Sequence, residues 1–395
     1  MTVCRASLLT PFFVFFCCTP LLGAELGGVS TTIHNHYVSP RALGMGNAFV
    51  AAATDYNALF YNPAGLARIE EREINLSMEA GLSASYFKFA RDLKSASNTV
   101  GTDTEKQLAI AEVIEANYGK VIGGRASPAS AILVSPGWGI GIIPTDLSVE
   151  MTMNRSVGPS VNATVFGNTT LALGWAQDVS WIPHSRLSIG VTGKFVNRLY
   201  YSRSINFIEL AANSDFFKKE NFREGYTFDA DLGALWTPEL PPSGLLSLLR
   251  LARPSLGLVL RNAAELGFKQ SLKVIQKENA EAPEPLFRVL DLGTKWEYPR
   301  AWIFSGRGVM DFKNIMHPAY SLRKGFHLGF EFDWVMNNFW KGAYRVGLNQ
   351  GYLTAGVSAK LLVFNADLVT YGEDVGTYST PKENRIYMAR LNLNF

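Results

Sequence analysis

Five histidines, three cysteines and scattered serines and carboxylates are the residues that could carry chemistry in this chain of 395. His34, His36, His184, His317 and His327 fall in no H-E-x-x-H or comparable ligand spacing. His34-Asn35-His36 could turn two imidazoles to one side of an extended segment. Two ligands make a poor metal site, however, and a solvated leader is the plainer reading. Neither a G-x-S-x-G elbow nor a P-loop occurs. Gly44-Met45-Gly46-Asn47-Ala48-Phe49 opens like a dinucleotide fingerprint, but its sixth position is Phe and no strand precedes it. N-x-S/T matches such as Asn162-Ala163-Thr164 are expected by chance in a strand-rich chain with many Ser and Thr. A hydrolase triad has nothing pointing to it, so the expectation is a non-enzyme with no cofactor and no metal.

The elements that would position any such residue begin after a targeting segment. Arg5, an apolar run from Leu8 to Leu22 and then Leu22-Gly23-Ala24 read as a secretory signal peptide over 1–24, cleaved after Ala24. The run is short and carries Pro11 and Pro20, which disfavours a transmembrane anchor. A lipoprotein signal is disfavoured because Cys17 and Cys18 follow Phe15-Phe16 rather than small residues. Cleavage would remove Cys4, Cys17 and Cys18, every cysteine of the chain, and with them disulfides and thiolate metal sites. Loss of Arg5 takes the formal charge from +3 to +2, which gives no reason to expect nucleic acid as a partner.

Mean hydropathy is only +0.05, and no later apolar run approaches the ~18 residues of a spanning helix. Alternation of period two is the dominant pattern instead. Ile74, Leu76, Met78, Ala80, Leu82, Ala84 and Tyr86 interleave with Asn75, Ser77, Glu79, Gly81, Ser83 and Ser85. Phe326, Leu328, Phe330, Phe332 and Trp334 oppose His327, Glu331 and Asp333, and the chain ends Tyr387, Ala389, Leu391, Leu393, Phe395 against polar alternates. Such segments suit a barrel with lipid on one face and a polar lumen on the other. Strands are expected near 73–89, 129–142, 147–155, 161–175, 187–203, 226–236, 255–263, 287–298, 301–312, 324–335, 340–349, 352–361, 363–371 and 385–395, about fourteen in all. Short turns at Pro144-Thr145-Asp146, Pro299-Arg300 and Asn337-Asn338-Phe339 alternate with long polar loops. Two connections break that rule, a long 237–254 and a short 350–351. Helical spacing marks Asp103–Tyr118 and a shorter piece at Leu245–Ala252.

Arg41–Leu66, RALGMGNAFVAAATDYNALFYNPAGL, fits none of this alternation. Its Gly/Ala content allows close backbone packing, Asn62-Pro63-Ala64-Gly65 reads as a tight turn, and Phe49, Leu59, Phe60 and Tyr61 argue against a solvated loop. Arg41, Ala42, Gly44, Met45, Gly46, Ala48, Ala51, Asn57 and Asn62-Pro63-Ala64-Gly65-Leu66 make the segment similar to the N-terminal hatch of the FadL-type outer-membrane long-chain fatty acid transporters. It also resembles the PorV-like proteins and a group of uncharacterised spirochaetal FadL-like barrels. The similarity is local to about residues 38–72. A terminal aromatic such as Phe395 resembles the signal that outer-membrane barrels present to their assembly machinery.

What this resemblance implies is an all-β transmembrane antiparallel barrel of about fourteen strands at 73–395, with a leader and hatch at 25–72 plugging the lumen. The expected location is the bacterial outer membrane. The expected function is passive uptake of long-chain fatty acids or other small hydrophobic molecules. The alternative is a PorV-like scaffold or secretion partner, or an adhesin. Plug residues would be Arg41, Gly44, Gly46, Asn47, Asn62, Pro63, Ala64 and Gly65, with Arg41, Asn47 and Asn62 bonded to lumen charges. Phe49, Phe60 and Tyr61 are candidates for ligand contact, as are Ile110, Val113 and Ile114 in an outer helix. Lys194, Arg198, Arg307, His327, Glu331 and Asp333 would be lumen charges that pair with one another and with the plug. Partners would be membrane lipid, a fatty-acid-like ligand and the barrel assembly machinery.

Overall fold

The computed structural model describes residues 32–99, 101–154, 160–180, 185–206, 209, 221–241, 243–244, 247–275, 281–337, 339–376 and 380–395. The expected signal peptide at 1–24 and the start of the leader lie outside these residues, as does His184. The strands are β1 (Glu73–Ser83), β2 (Val121–Ser135), β3 (Trp138–Asn154), β4 (Ser160–Val179), β5 (Ser185–Asn206), β6 (Arg223–Pro238) and β7 (Ser255–Arg261). They continue as β8 (Val289–Ala301), β9 (Phe304–Ile315), β10 (Phe326–Val335), β11 (Trp340–Asn349), β12 (Tyr352–Leu361), β13 (Phe364–Asp374) and β14 (Glu383–Asn394). Each strand pairs antiparallel with its sequence neighbours, and β1 pairs with β14 from Asn75↔Asn394 to Ser83↔Ile386, closing a fourteen-stranded barrel. Among the described residues no helix is long and apolar enough to cross a membrane.

Period-two patterning decides which way each strand faces. Leu76 and Met78 of β1, Phe330 and Phe332 of β10, and Tyr387 and Leu391 of β14 are exposed on the outside of the wall. Glu79, Glu331 and Arg390 are buried inside. Phe395 adds one more rung, with its N–H donating to Ile74 O and Ile74 N–H donating to Phe395 O, both at 3.0 Å.

The expected count stands, but several boundaries do not. β1 stops at Ser83, and a helix over Tyr86–Ser97 takes over. Tyr86–Phe89 alternates for too few residues to separate a strand from a helix. Phe89 and Ala96 pack at helical spacing instead. The hairpin expected around Pro144 turns at Pro136-Gly137, where Gly137 has φ +84°. Pro144 sits within β3, at an irregularity between Ile143 and Asp146. A proline there reads as a breaker, yet bulges accommodate it because no ladder N–H is required. The turn expected at Pro299-Arg300 lies two residues later at Trp302, φ +56°.

Long loops gather at one end and tight turns at the other, with the same two exceptions. Residues 239–254 form a long connection at the short-turn end, and Gln350-Gly351 form a tight turn at the long-loop end with φ +53° and +85°. Both are features of the fold.

Among the described residues, seven helical pieces accompany the strands: α1 (Pro40–Gly44), α2 (Ala58–Tyr61), a 3-10 helix (Pro63–Arg68), α3 (Tyr86–Ser97), α4 (Asp103–Glu115), α5 (Ser247–Arg250) and α6 (Leu322–Gly325). α4 is the helix expected over Asp103–Tyr118. Thr102 caps it: its Oγ1 accepts from Glu105 N–H while the Glu105 carboxylate accepts from Thr102 N–H. α5 is a single turn within the expected Leu245–Ala252 piece.

Candidate functional site

Residues 33–69 lie against the inward-facing side chains of the wall. Their local shape follows from a few residues. Pro40 opens α1, where its missing N–H costs nothing. Gly46 and Asn47 then take φ +64° and +61°, a left-handed pair that reverses the chain. Asn62 is extended, and its Oδ1 accepts from Ala64 N–H to start the 3-10 helix. Tyr37 stacks on Phe60 with centroids 4.4 Å apart, and Phe49 meets the edge of Tyr61 at 5.2 Å.

On one side the contact is polar. Asp311 Oδ2 accepts from the N–H groups of Phe49 (2.6 Å) and Val50 (2.9 Å). Thr354 Oγ1 accepts from Gly46 N–H and donates to Gly44 O, both at 3.0 Å. Gly46 O lies 2.7 Å from His327 Nδ1, and Lys313 Nζ donates to Asn47 O at 3.1 Å. Arg41 joins a buried ionic cluster centred on Glu331, which also pairs with Arg307 and Arg345. Arg41 reaches Glu331 at 2.7 Å and Asp55 at 2.6 Å, and Arg307 reaches Asp333 at 2.9 Å. Burial works against the Arg41 charge, but Glu331 and Asp55 outweigh it and hold the guanidinium well above its ordinary range.

On the other side the contact is apolar. Leu59, Phe60, Tyr61 and Leu66 share one buried cluster with Ile132 and Val134 of β2 and Ile143 of β3. Toward β5–β7 the two kinds of contact meet. Arg261 donates to Phe60 O (2.6 Å) and Tyr61 O (2.8 Å), and Thr192 donates to Leu59 O (3.0 Å). Arg68 donates to Ser188 Oγ at 2.6 Å.

Glycines of the wall make room for this segment. A Cβ on Gly190 would stand 2.5 Å from Pro63 C, one on Gly233 2.2 Å from Asn62 Oδ1, and one on Gly329 2.2 Å from Met45 O. Gly190 pairs directly with Gly233, and Gly329 with Gly347, whose added Cβ would meet Gly46 N at 2.4 Å. No side chain fits at these positions without moving the segment.

The leader is not solvated as expected. His34 stacks on Phe166 at 4.0 Å, His36 Nε2 lies 2.7 Å from Thr170 Oγ1, and Arg125 donates to the carbonyls of Asn35 and His36. Burial, reinforced by Arg125 for His34 and by Lys194 for His36, holds both imidazoles well below their usual range, hence neutral at pH 7. Among the described residues no group of His, Cys, Asp or Glu could hold a metal ion.

Of the other expected positions, Lys194 pairs with Asp231 at 2.7 Å, and Arg198 bonds Asn168 Oδ1 (2.9 Å) and Glu284 O (2.8 Å). Asn62 and Asn47 do not meet lumen charges through their side chains. Asn62 Nδ2 donates to Val50 O and Ala234 O, and Asn47 Oδ1 accepts from Tyr61 OH. Asn62 thus ties the segment to a carbonyl of β6 as well as to its own backbone, and Asn47 fixes the segment's Tyr61. Pro63, Ala64 and Gly65 are buried, and an added Cβ on Gly65 would collide with Ala53 O at 1.8 Å. Ile110 and Ile114 are buried with Phe89, Ile122 and Met153, and Val113 packs beside them. They lie in a separate cluster from Phe49, Phe60 and Tyr61. Sequence reasoning missed Arg345, Asp311 and Thr354, each buried between outward apolar neighbours, the half-buried Arg261 at the end of β7, and the inward glycines.

The wall itself has one break in pairing beside the apolar cluster. β2 and β3 pair from Val121↔Thr152 to Ala126↔Leu147 and again from Ala131↔Ile142 to Ser135↔Trp138. Residues 127–130 and 143–146 form no ladder with each other, although Ser127 and Ser130 still pair with β1 and Ile143 and Asp146 with β4. Pro128 lies in one and Pro144 in the other, and neither has an N–H to give. The outer face of the break opens on an apolar groove of about 690 Å³ lined by Leu76, Met78, Ala131, Ile142 and Leu391 among others.

A family model described as "F plasmid transfer operon, TraF, protein" matches residues 99–240, about a third of the chain. No curated protein matches it. Solved structures similar to the chain include a Pseudomonas aeruginosa FadL homologue, at 10% identity over 93% of this chain and 99% of that one, with a TM-score of 0.42. The Pseudomonas putida toluene transporter TodX is similar at 10% identity over 93% and 99%, with a TM-score of 0.46. The Ralstonia pickettii toluene transporter TbuX follows at 9% over 91% and 98%, with a TM-score of 0.43.

Proposed function

We propose that this protein is an outer-membrane transporter for passive uptake of small hydrophobic molecules, long-chain fatty acids among them, with Arg41–Leu66 as a hatch in its lumen. The observation that carries this reading is the unpaired stretch between β2 and β3. Its inner side adjoins Ile132 and Ile143, in the same apolar cluster as Phe49, Phe60 and Tyr61. Its outer side is an apolar groove on the lipid-facing surface. A hydrophobic solute could pass from the hatch's aromatic face to the membrane without crossing the charged part of the lumen. The exposed apolar band of the wall suits membrane lipid. The test is uptake of a fluorescent fatty acid into liposomes. Pro128→Val with Pro144→Val restores ladder donors and should slow uptake at unchanged binding; unchanged uptake would refute the lateral route.

A second reading is a scaffold or secretion partner at the cell surface. The match of residues 99–240 to a protein of a plasmid transfer operon favours it. Co-purification with one protein partner, and no lipid binding, would support it over transport.

A further inference from the structure

The connection between β1 and β2 carries α3 and α4, and the register of the wall shows which side of it they cover. Arg125 of β2 points into the lumen, where it bonds Asp146 and the carbonyls of Asn35 and His36. Ile122, three residues earlier on the same strand, therefore points outward. Its partner Met151 faces the same way, as do Met153 further along β3 and Val161 opposite it on β4. Yet Ile122, Met153 and Val161 are only 0%, 1% and 4% exposed, because Phe89 and Ala96 of α3 and Ile110 and Ile114 of α4 share one buried cluster with them. The helical hairpin thus lies against the outside of the barrel, at the long-loop end.

Its two exposed faces differ in sign. α3 exposes Phe87, Lys88, Arg91 and Lys94, three cations against Asp92 alone, which lies 3.5 Å from Arg91. α4 exposes Leu108 among Glu105, Glu112 and Glu115, and its four carboxylates stand against Lys106 alone. Phe87 is 70% exposed and borders an apolar groove of about 760 Å³ on the outward surface, with Leu82, Ala84, Leu368 and Tyr387. It thereby continues the lipid-facing surface of β1 and β14. At 1.5 Å per residue, Lys94 stands no more than about 10 Å along the axis from Phe87. A headgroup layer is roughly 5–8 Å thick, and the long stems of lysine and arginine span the remainder. We infer that α3 rests on the membrane surface, with Phe87 in the apolar layer and Lys88, Arg91 and Lys94 against the phosphates of anionic lipid headgroups. The acidic face of α4 has the wrong sign for such a contact. The inference rests on the barrel spanning a membrane and not on what it carries.

The test places the refolded barrel in vesicles of equal parts phosphatidylcholine and phosphatidylglycerol, with bromine, a quencher of tryptophan, on the acyl chains of one lipid or the other. Phe87→Trp adds a reporter at the start of α3, read as its difference from wild type. Brominated phosphatidylglycerol should quench it about fivefold more than brominated phosphatidylcholine at low salt, since one cation near an anionic surface is worth about that factor. The preference should vanish in about 1 M salt, where the screening length is about 3 Å. Adding Lys88→Gln and Lys94→Gln should remove the preference while the quenching itself persists. Leu108→Trp should show no preference for the anionic lipid. Native Trp138 and Trp175, exposed on the outward surface, report insertion in the same samples. If they are not quenched, the barrel is not in the bilayer, and the inference falls together with the transport reading. Quenching there, with Phe87→Trp unquenched or quenched equally by both lipids, would overturn the inference alone. So would a preference that survives Lys88→Gln with Lys94→Gln.

Discussion

The segment Arg41–Leu66 meets its barrel in two unlike ways. Toward β9–β12 it is held by directed bonds: Arg41 on Glu331, Gly46 between Thr354 and His327, and the N–H groups of Phe49 and Val50 on Asp311. Toward β2–β4 it offers Leu59, Phe60 and Leu66 to Ile132, Val134 and Ile143. Directed bonds fix position to a fraction of an ångström, whereas apolar contact tolerates sliding and can admit another apolar body. The break in β2–β3 pairing lies on the apolar side. The polar side is therefore read as an anchor and the apolar side as the working face.

Breaking the anchor should have the largest effect. Glu331→Ala leaves Arg41, Arg307 and Arg345 facing one another in a buried space, a loss of about 3–5 kcal/mol. It should appear as a lower midpoint in denaturant and as raised ion conductance in planar bilayers. An unchanged midpoint would show that the cluster contributes nothing to the anchor. Next, Leu59→Ala on the apolar side should cost about 2–3 kcal/mol through the cavity it leaves. Unlike Glu331→Ala, it should change fatty-acid affinity more than conductance; the reverse ranking would remove the distinction between the two faces.

Gly329→Val tests the close approach of the anchor from the wall side. Its side chain would overlap Met45, so about 1–3 kcal/mol should be lost and conductance should rise, while the strand itself still pairs. The smallest effect is on the leader. Buried neutral His34 and His36 have depressed pKa values, so their contribution is complete above the unfolded value of 6.5 and declines as pH falls below it. One unit below that value the cost is up to about 1.4 kcal/mol per histidine. The fall in Tm between pH 7.5 and 5.5 should shrink in His34→Gln with His36→Gln; an identical fall would place the pH dependence elsewhere.

Much of the barrel was legible because period-two alternation is a local property. The inward carboxylates Glu79 and Glu331 and the outward Leu76, Phe330 and Tyr387 could be assigned from their own strands alone. The hairpin between β2 and β3 was not, because Pro144 inside a strand and the Pro136-Gly137 turn carry the same local signal. The composition of Arg41–Leu66 marked it as a packed segment, yet the partners that seat it come from β9–β12, far away in sequence. Arg345 and Asp311 become anchors only once register places them opposite the segment. The same holds for Gly190 and Gly329, which look like weak strand residues until the opposing backbone is known. Asn62 and Asn47 were expected to meet lumen charges, yet the Asn62 amide bonds the carbonyls of Val50 and Ala234 and the Asn47 amide oxygen bonds Tyr61 OH, because a short amide takes whatever polar group its turn brings near.

The most direct test of the whole account is binding of a fluorescent fatty acid to the refolded barrel with Arg41–Leu66 intact. Saturable binding in the micromolar range, displaced by oleate and weakened by Leu59→Ala, is the result predicted for a hydrophobic-solute transporter. No binding by a barrel shown to be folded would contradict it and favour a surface scaffold.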